Sequence, residues 1–306
     1  MQPMPETMPR QMTRQSPSVS GLLPAFGAYG IWCLFPLYFA LLKDVAPFEV
    51  VVWRLMCTLP FCLVAVAVLR QGAALRAALT NPRTLATLAL SGFLIGANWL
   101  IYVVAIMEGH VLAASLGYYI NPLMNILAAT VFLKEKLTRR QWIAVALATI
   151  GVALLAKGAL DTLWISLMLA LSFACYGLAR KLAPVAALPG LTVETLVLFV
   201  PALALMWWQM QAPGGLAMGS STRISLLLLC AGPLTAIPLM LFATAARALP
   251  FSVLGFIQFV TPTGLFLMSV FIFHEPLRPI QLVCFAFIWA AVGVFCWDIL
   301  SRRTGG

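Results

Sequence analysis

The chain has 306 residues, of which 62% are hydrophobic and 9% charged, against roughly 45–50% and about 25% in an average soluble domain. So few polar side chains cannot cover a water-soluble surface, which excludes a soluble enzyme, a coiled coil and a disordered chain. The net charge of +10 would suggest a nucleic-acid partner in a soluble protein, but here the bases lie between long apolar runs, where membrane topology accounts for them and no nucleic acid is needed.

Taken in chain order, residues 1–19 read as a disordered tail rich in Pro, Gln and Met. It lacks the apolar core of a cleaved signal peptide. A helix needs about 20 apolar residues to cross a hydrocarbon layer about 30 Å thick. Ten such stretches follow: Gly21–Leu42, Phe48–Leu69, Leu85–Met107, Val111–Leu133, Gln141–Ala156, Leu163–Ala179, Leu191–Gln209, Ser225–Ala246, Phe251–Phe273 and Ile280–Leu300. The runs are too long and continuous for an outer-membrane barrel. Residues 301–306 form a second short tail, and Gln211–Arg223 is the one long polar loop. The expected protein is therefore an all-α polytopic membrane protein, with the lipid bilayer as its first partner.

The bases orient it. With the N-terminus in the cytoplasm, the inner segments hold Arg10, Arg14, Arg70, Arg76, Arg83, Lys134, Lys136, Arg139, Arg140, Arg180, Lys181, Arg247, Arg302 and Arg303. The outer segments hold only Lys43, Lys157, Arg223 and Arg278. Both termini are thus expected to be cytoplasmic. The seven cysteines all fall in apolar spans without a C-x-x-C pair, where thiols act as small hydrophobes. No disulfide, metal site or cofactor is expected.

The chain repeats itself. Pro122, Glu135, Leu137 and Gln141 match Pro262, Glu275, Leu277 and Gln281 at one constant offset, and Leu116-Gly117 echoes Leu254-Gly255. This divides the chain into a first five-helix repeat, 20–157, and a second, 162–300. Five is odd, so the second copy would cross the bilayer inverted, an arrangement typical of secondary transporters.

The run Ala114-Ser115-Leu116-Gly117-Tyr118-Tyr119-Ile120-Asn121-Pro122-Leu123 resembles the fourth helix of the chloramphenicol-sensitive protein RarD group. That group belongs to the EamA family of the drug/metabolite transporter superfamily. Gly96-Ala97-Asn98-Trp99-Leu100, Glu49 with Arg54, Tyr176-Gly177 with Arg180-Lys181, Glu194-Thr195 and Pro262-Thr263 resemble other helices of the group. Lys134 and His274 stand where EamA repeats often have Gly, and Ala113 where members of the group carry an acid. The resemblance implies a multi-pass transporter of the bacterial cytoplasmic (inner) membrane, exporting small metabolites or drugs.

The residues themselves nominate a cavity. Asn98 and Tyr102 share a helix face beside Trp99, on a helix whose Gly92-x-x-x-Gly96 allows close approach. Tyr118, Asn121 and Asn125 follow in the fourth helix, where Pro122 frees a carbonyl. Trp32, Tyr176, Gln258 and Thr261 complete the candidate substrate-binding set, with Pro122 and Pro262 as hinges. Aromatic walls with amide anchors suit amphipathic solutes, amino acids or aromatic compounds among them. The competing reading of each amide is helix-to-helix glue.

Charges within spans are costly. Glu49 and Arg54 are about 140° apart on their helix, too far round to pair, and Glu49 reads as an outer-rim residue. Arg54 either recognises an anion or pairs across helices, with Glu194 as the candidate partner. Glu194 is either a proton-coupling group or half of that structural pair. Glu135 and Glu275 end helices against the macrodipole and so need partners. No catalytic motif or P-loop is present, so the chain reads as no enzyme and no self-contained ATP-driven pump. The alternative class is a non-transporting sensor or scaffold that retains the fold.

Overall fold

The computed structural model describes residues 19–157, 160–211, 215–274 and 279–304. Glu275, Leu277, Arg278 and the tail 1–18 lie outside the described residues. Within them, ten helices are long and apolar enough to cross a membrane.

The first span is two helices, α1 (Val19–Cys33) and α2 (Phe35–Ala40). Then come α3 (Pro47–Val68), a short α4 (Gly72–Thr80), α5 (Pro82–Met107), α6 (Val111–Val131), α7 (Arg139–Ala156), α8 (Leu163–Leu182), α9 (Ala187–Met210) and α10 (Thr222–Ala248). The ninth span is again split, into α11 (Phe251–Ile257) and α12 (Val260–Phe271), before α13 (Pro279–Thr304).

Several helices begin earlier than their apolar runs, because their first turns are polar and capped. Asn81 accepts from the backbone N–H of Arg83 and Thr84, both at 3.1 Å, at the head of α5. Thr138 and Gln141 form a reciprocal capping box on α7. Ser221 accepts from Ile224 N at 3.2 Å on α10. Hydropathy is blind to such turns, although Ser, Thr and Asn at these places satisfy otherwise orphaned N–H groups. It also passes over α4, which is too short and polar to span. Its Leu75 and Ala78 pack into a small cluster with Leu88, Val185 and Val193.

Proline divides the first and ninth spans. A proline offers no N–H and its ring crowds the carbonyl four residues earlier. The break before α12 falls at Gln258 and Phe259, four and three residues ahead of Pro262, and the break at Leu34 precedes Pro36. The expected hinge at Pro122 differs: α6 is helical throughout, with Pro122 inside it.

The bundle packs across its two halves. α1 lies on α10, α3 on α9 and α10, α5 on α8 and α9, α6 on α8 and α11, and α7 on α13. Small residues allow these approaches. A Cβ on Gly96 would come within 2.8 Å of Leu198, and one on Gly92 within 3.3 Å of the Glu194 carbonyl. The Gly-x-x-x-Gly pair therefore faces α9.

Candidate functional site

A cavity of about 840 Å³ opens between the halves. Its wall carries Trp32, Phe35 and Phe39 from the first span, Arg54 from α3, and Asn98, Trp99 and Tyr102 from α5. Across from them stand Ser115, Tyr118, Tyr119 and Asn121 of α6, Phe173 of α8, and Gln258, Thr261 and Phe266 at the broken ninth span. The break is what brings the last group in. It frees the end of α11, so the Thr261 hydroxyl donates to the Tyr29 carbonyl at 3.2 Å while both residues border the space.

Eight of the ten expected binding residues thus share one cavity: Trp32, Asn98, Trp99, Tyr102, Tyr118, Asn121, Gln258 and Thr261. The other two sit behind the wall. Asn125 is fully buried and its amide donates to Gln258 Oε1, which fixes that side chain. Tyr176 is fully buried and stacks on Phe242, rings 5.9 Å apart. Asn98 has two duties. It borders the cavity, and its amide donates to the Leu169 carbonyl at 2.8 Å and Ser172 Oγ at 2.9 Å, tying α5 to α8.

Arg54 projects into the cavity wall. Its Nε donates to Thr235 Oγ1 at 3.0 Å. Its guanidinium lies 4.7 Å from the Trp99 ring centroid and 5.5 Å from that of Phe35, a cation–π setting. Of the two alternatives for Arg54 the structure has the cavity-facing one, and the candidate partner Glu194 is committed elsewhere. Glu194 pairs with Arg180, Nη1 to Oε1 3.4 Å, both side chains buried, and accepts a short hydrogen bond from Ser91. The reason is depth. α3 and α9 run antiparallel from opposite ends of the bundle, so residues equally far into each helix lie at different levels.

Arg180 is a correction. Counted by sequence among the loop bases, it is in fact 1% exposed, with Nη2 donating to the Ala187 carbonyl at 3.0 Å. Gly190 makes room for it, since a Cβ there would collide with the guanidinium. Glu49 lies at the end of α3 expected of it, in the first turn, but is buried at 3% beneath the loop before α10. It accepts from Ala217 N at 2.9 Å, Met218 N at 3.0 Å and Trp53 Nε1 at 3.2 Å, anchoring the loop before α10.

The two ends of the cavity differ. At one end it reaches Val111, Leu112, Phe273 and Gln281, and Val111, Leu112 and Phe273 are exposed. The opposite end is packed shut. There Glu135 accepts from Phe251 N (2.7 Å), Ser252 N (3.0 Å) and Ser252 Oγ (2.6 Å), capping α11. Glu135 ends one helix against its dipole but meets the favourable N-terminal end of another. Lys181 Nζ donates to the Ala246 carbonyl at 2.9 Å and the Leu249 carbonyl at 2.5 Å, and Arg247 donates to the Val185 carbonyl.

Comparison with known proteins agrees with this architecture. Residues 19–157 match the EamA-like transporter family. The chain is 45% identical over 280 residues to an uncharacterised transporter of Pseudomonas aeruginosa, covering 91% of this chain and 93% of that one. It is 39% identical over 302 residues to the protein RarD of Escherichia coli, covering 97% and 99%. A protein of known crystal structure has a similar fold, with a TM-score of 0.70 at 17% identity over 94% of this chain and 99% of that one.

Proposed function

The chain belongs to the RarD group of the EamA-like transporter family and is a multi-pass membrane transporter of the bacterial inner-membrane kind, and from that premise we propose a secondary exporter of small amphipathic metabolites or drugs. Amino acids and aromatic compounds are the leading solutes. The observation that carries this reading is the cavity itself, apolar and aromatic over most of its wall, with Asn98, Asn121, Gln258 and Thr261 set into it. Such a lining fits a solute with an apolar body and a polar head.

Alternating access supplies the movement. The repeats 20–157 and 162–300 are read as inverted copies, and the helix contacts support this. Exchanging the halves turns the α1–α10 pair into α8–α5 and the α3–α10 pair into α9–α5. The α3–α9, α6–α11 and α7–α13 pairs return to themselves. With the N-terminus in the cytoplasm, the open end faces outward and the Glu135, Lys181 and Arg247 contacts close the inner end. Flexure at the broken ninth span beside Pro262, and around Pro122, would exchange the two.

The test is flux in proteoliposomes of the purified protein, with a panel of amino acids, small aromatic metabolites and a phenicol drug. Saturable flux that Trp99→Ala removes, from protein shown to be folded, is the expected result. Asn98→Ala should reduce it as well. No saturable flux from folded protein would favour the sensor or scaffold class instead. An imposed proton gradient examines Glu194. Acceleration that Glu194→Gln removes would assign it coupling, whereas indifference would leave it the structural partner of Arg180.

A further inference from the structure

We propose that the solute of this cavity carries a compact anionic head, a carboxylate or its equivalent, that Arg54 receives, and a planar apolar body that lies along the aromatic wall. The inference rests on reading the cavity as a solute site and adds to it the charge of the solute.

Arg54 is the one ionisable charge among the described residues that line the cavity. No carboxylate lies within ion-pairing distance of it among the described residues, where the one arginine–carboxylate pair is Arg180–Glu194. The acid nearest in sequence, Glu49, is committed to the backbone of Ala217 and Met218. A cation held inside a bilayer without a counter-ion is unfavourable. The comparison with Arg180 makes this specific. The fold buries that second arginine completely and supplies it with Glu194 and the Ala187 carbonyl. It gives Arg54 one hydroxyl, Thr235, on Nε, and aromatic faces.

Geometry then selects the ligand. Trp99 and Phe35 lie against the guanidinium, and Thr235 occupies Nε. The Nη donors remain, and a planar fork of N–H groups matches two carboxylate oxygens. The rings around it favour an organic anion over a bare halide, because the same wall that orients Arg54 offers an apolar surface to the rest of the molecule. A cationic solute would meet like charge with no acid to offset it among the described lining residues, which is how a site rejects a competitor.

The experiment uses matched probes on the full chain in detergent, by titration calorimetry: 3-phenylpropionate against 3-phenylpropionamide, indole-3-acetate against indole-3-acetamide, and phenethylamine. Each acid is expected to bind about tenfold or more tightly than its amide, and the amine weakest. Arg54→Gln should bring the acid down to the level of the amide, and Arg54→Lys should keep part of the preference. Trp99→Ala should weaken acid and amide alike. Equal binding of acid and amide, preferred binding of the amine, no binding of either acid, or an acid preference that survives in Arg54→Gln would each overturn the proposal. The transport reading fails separately. Acid-selective binding without flux of any solute removes transport and keeps the anion site. Saturable flux of neutral solutes that needs Trp99 but not Arg54 does the reverse.

Discussion

At one end of the cavity the helices finish in Phe39, Val111, Leu112 and Phe273, apolar side chains without a directional partner. At the other they finish in charged side chains that reach the backbone of a neighbouring segment: Glu135 at the head of α11, Lys181 at the last carbonyls of α10, and Arg247 at the Val185 carbonyl between α8 and α9. Apolar contact weakens gradually as surfaces part. Charge-assisted hydrogen bonds are directional, and each leaves an unsatisfied group when broken. The closed end therefore has three such contacts to make or release, whereas at the open end the cavity rim itself is apolar and the charged contact, Glu49 with the backbone of Ala217 and Met218, lies off that rim. The buried pair Arg180–Glu194, also in the closed half, adds a contact that water does not reach.

Three experiments would break or sharpen this contrast. The largest expected difference is in access. Ser115 is exposed on the cavity wall and Ser91 is fully buried against Glu194. In a cysteine-free background, Ser115→Cys should react completely with a membrane-impermeant thiol reagent, and Ser91→Cys should not. The side from which Ser115→Cys is labelled also reads the orientation, and equal labelling of both would remove the contrast.

Next comes the buried pair. Arg180→Ala leaves Glu194 charged and unpaired, and should cost about 3–5 kcal/mol, read as a large fall in melting temperature or as failure to accumulate. Arg180→Met combined with Glu194→Leu should recover most of the loss, since replacing both charges avoids burying either alone. If the double variant is as unstable as the single one, shape and not charge holds that site.

The smallest difference is between the ends themselves. Glu135→Ala removes the acceptor for three donors at the head of α11 and should cost about 1–3 kcal/mol. Leu112→Ala at the open rim should stay within about 0.5 kcal/mol. Thermal unfolding of the two variants in one detergent makes the comparison, and similar melting temperatures would show that Glu135 does not secure the closed end.

Much of the cavity was legible because polar groups stand out in apolar helices. Asn98 with Tyr102 and Tyr118 with Asn121 need only helical periodicity to share a face. Periodicity misled at Asn125 and Tyr176, where it placed a residue on roughly the right face but at a depth beyond the cavity. Phe35 and Thr235 carried no signal, since an aromatic and a hydroxyl in a membrane helix are ordinary packing residues until Arg54 is seen against them. Glu135 carried half a signal. Its conflict with its own helix dipole announced a partner, but the partners are two backbone N–H groups and the Ser252 hydroxyl, 116 and 117 positions away, and nothing in the sequence ties them to Glu135.

What the sequence determined by itself is the number and approximate extent of the spans, because transfer of about 20 residues into hydrocarbon depends on those residues alone. It also placed a hinge at Pro262, beside which the ninth span breaks, although the same missing N–H at Pro122 leaves α6 continuous. Only the tertiary structure decided the partners: Arg180 and not Arg54 for Glu194, Ala217 and Met218 for Glu49, and the head of α11 for Glu135. Pairing across a bundle depends on the depth and rotation of two helices that lie far apart in the chain, and packing alone sets both.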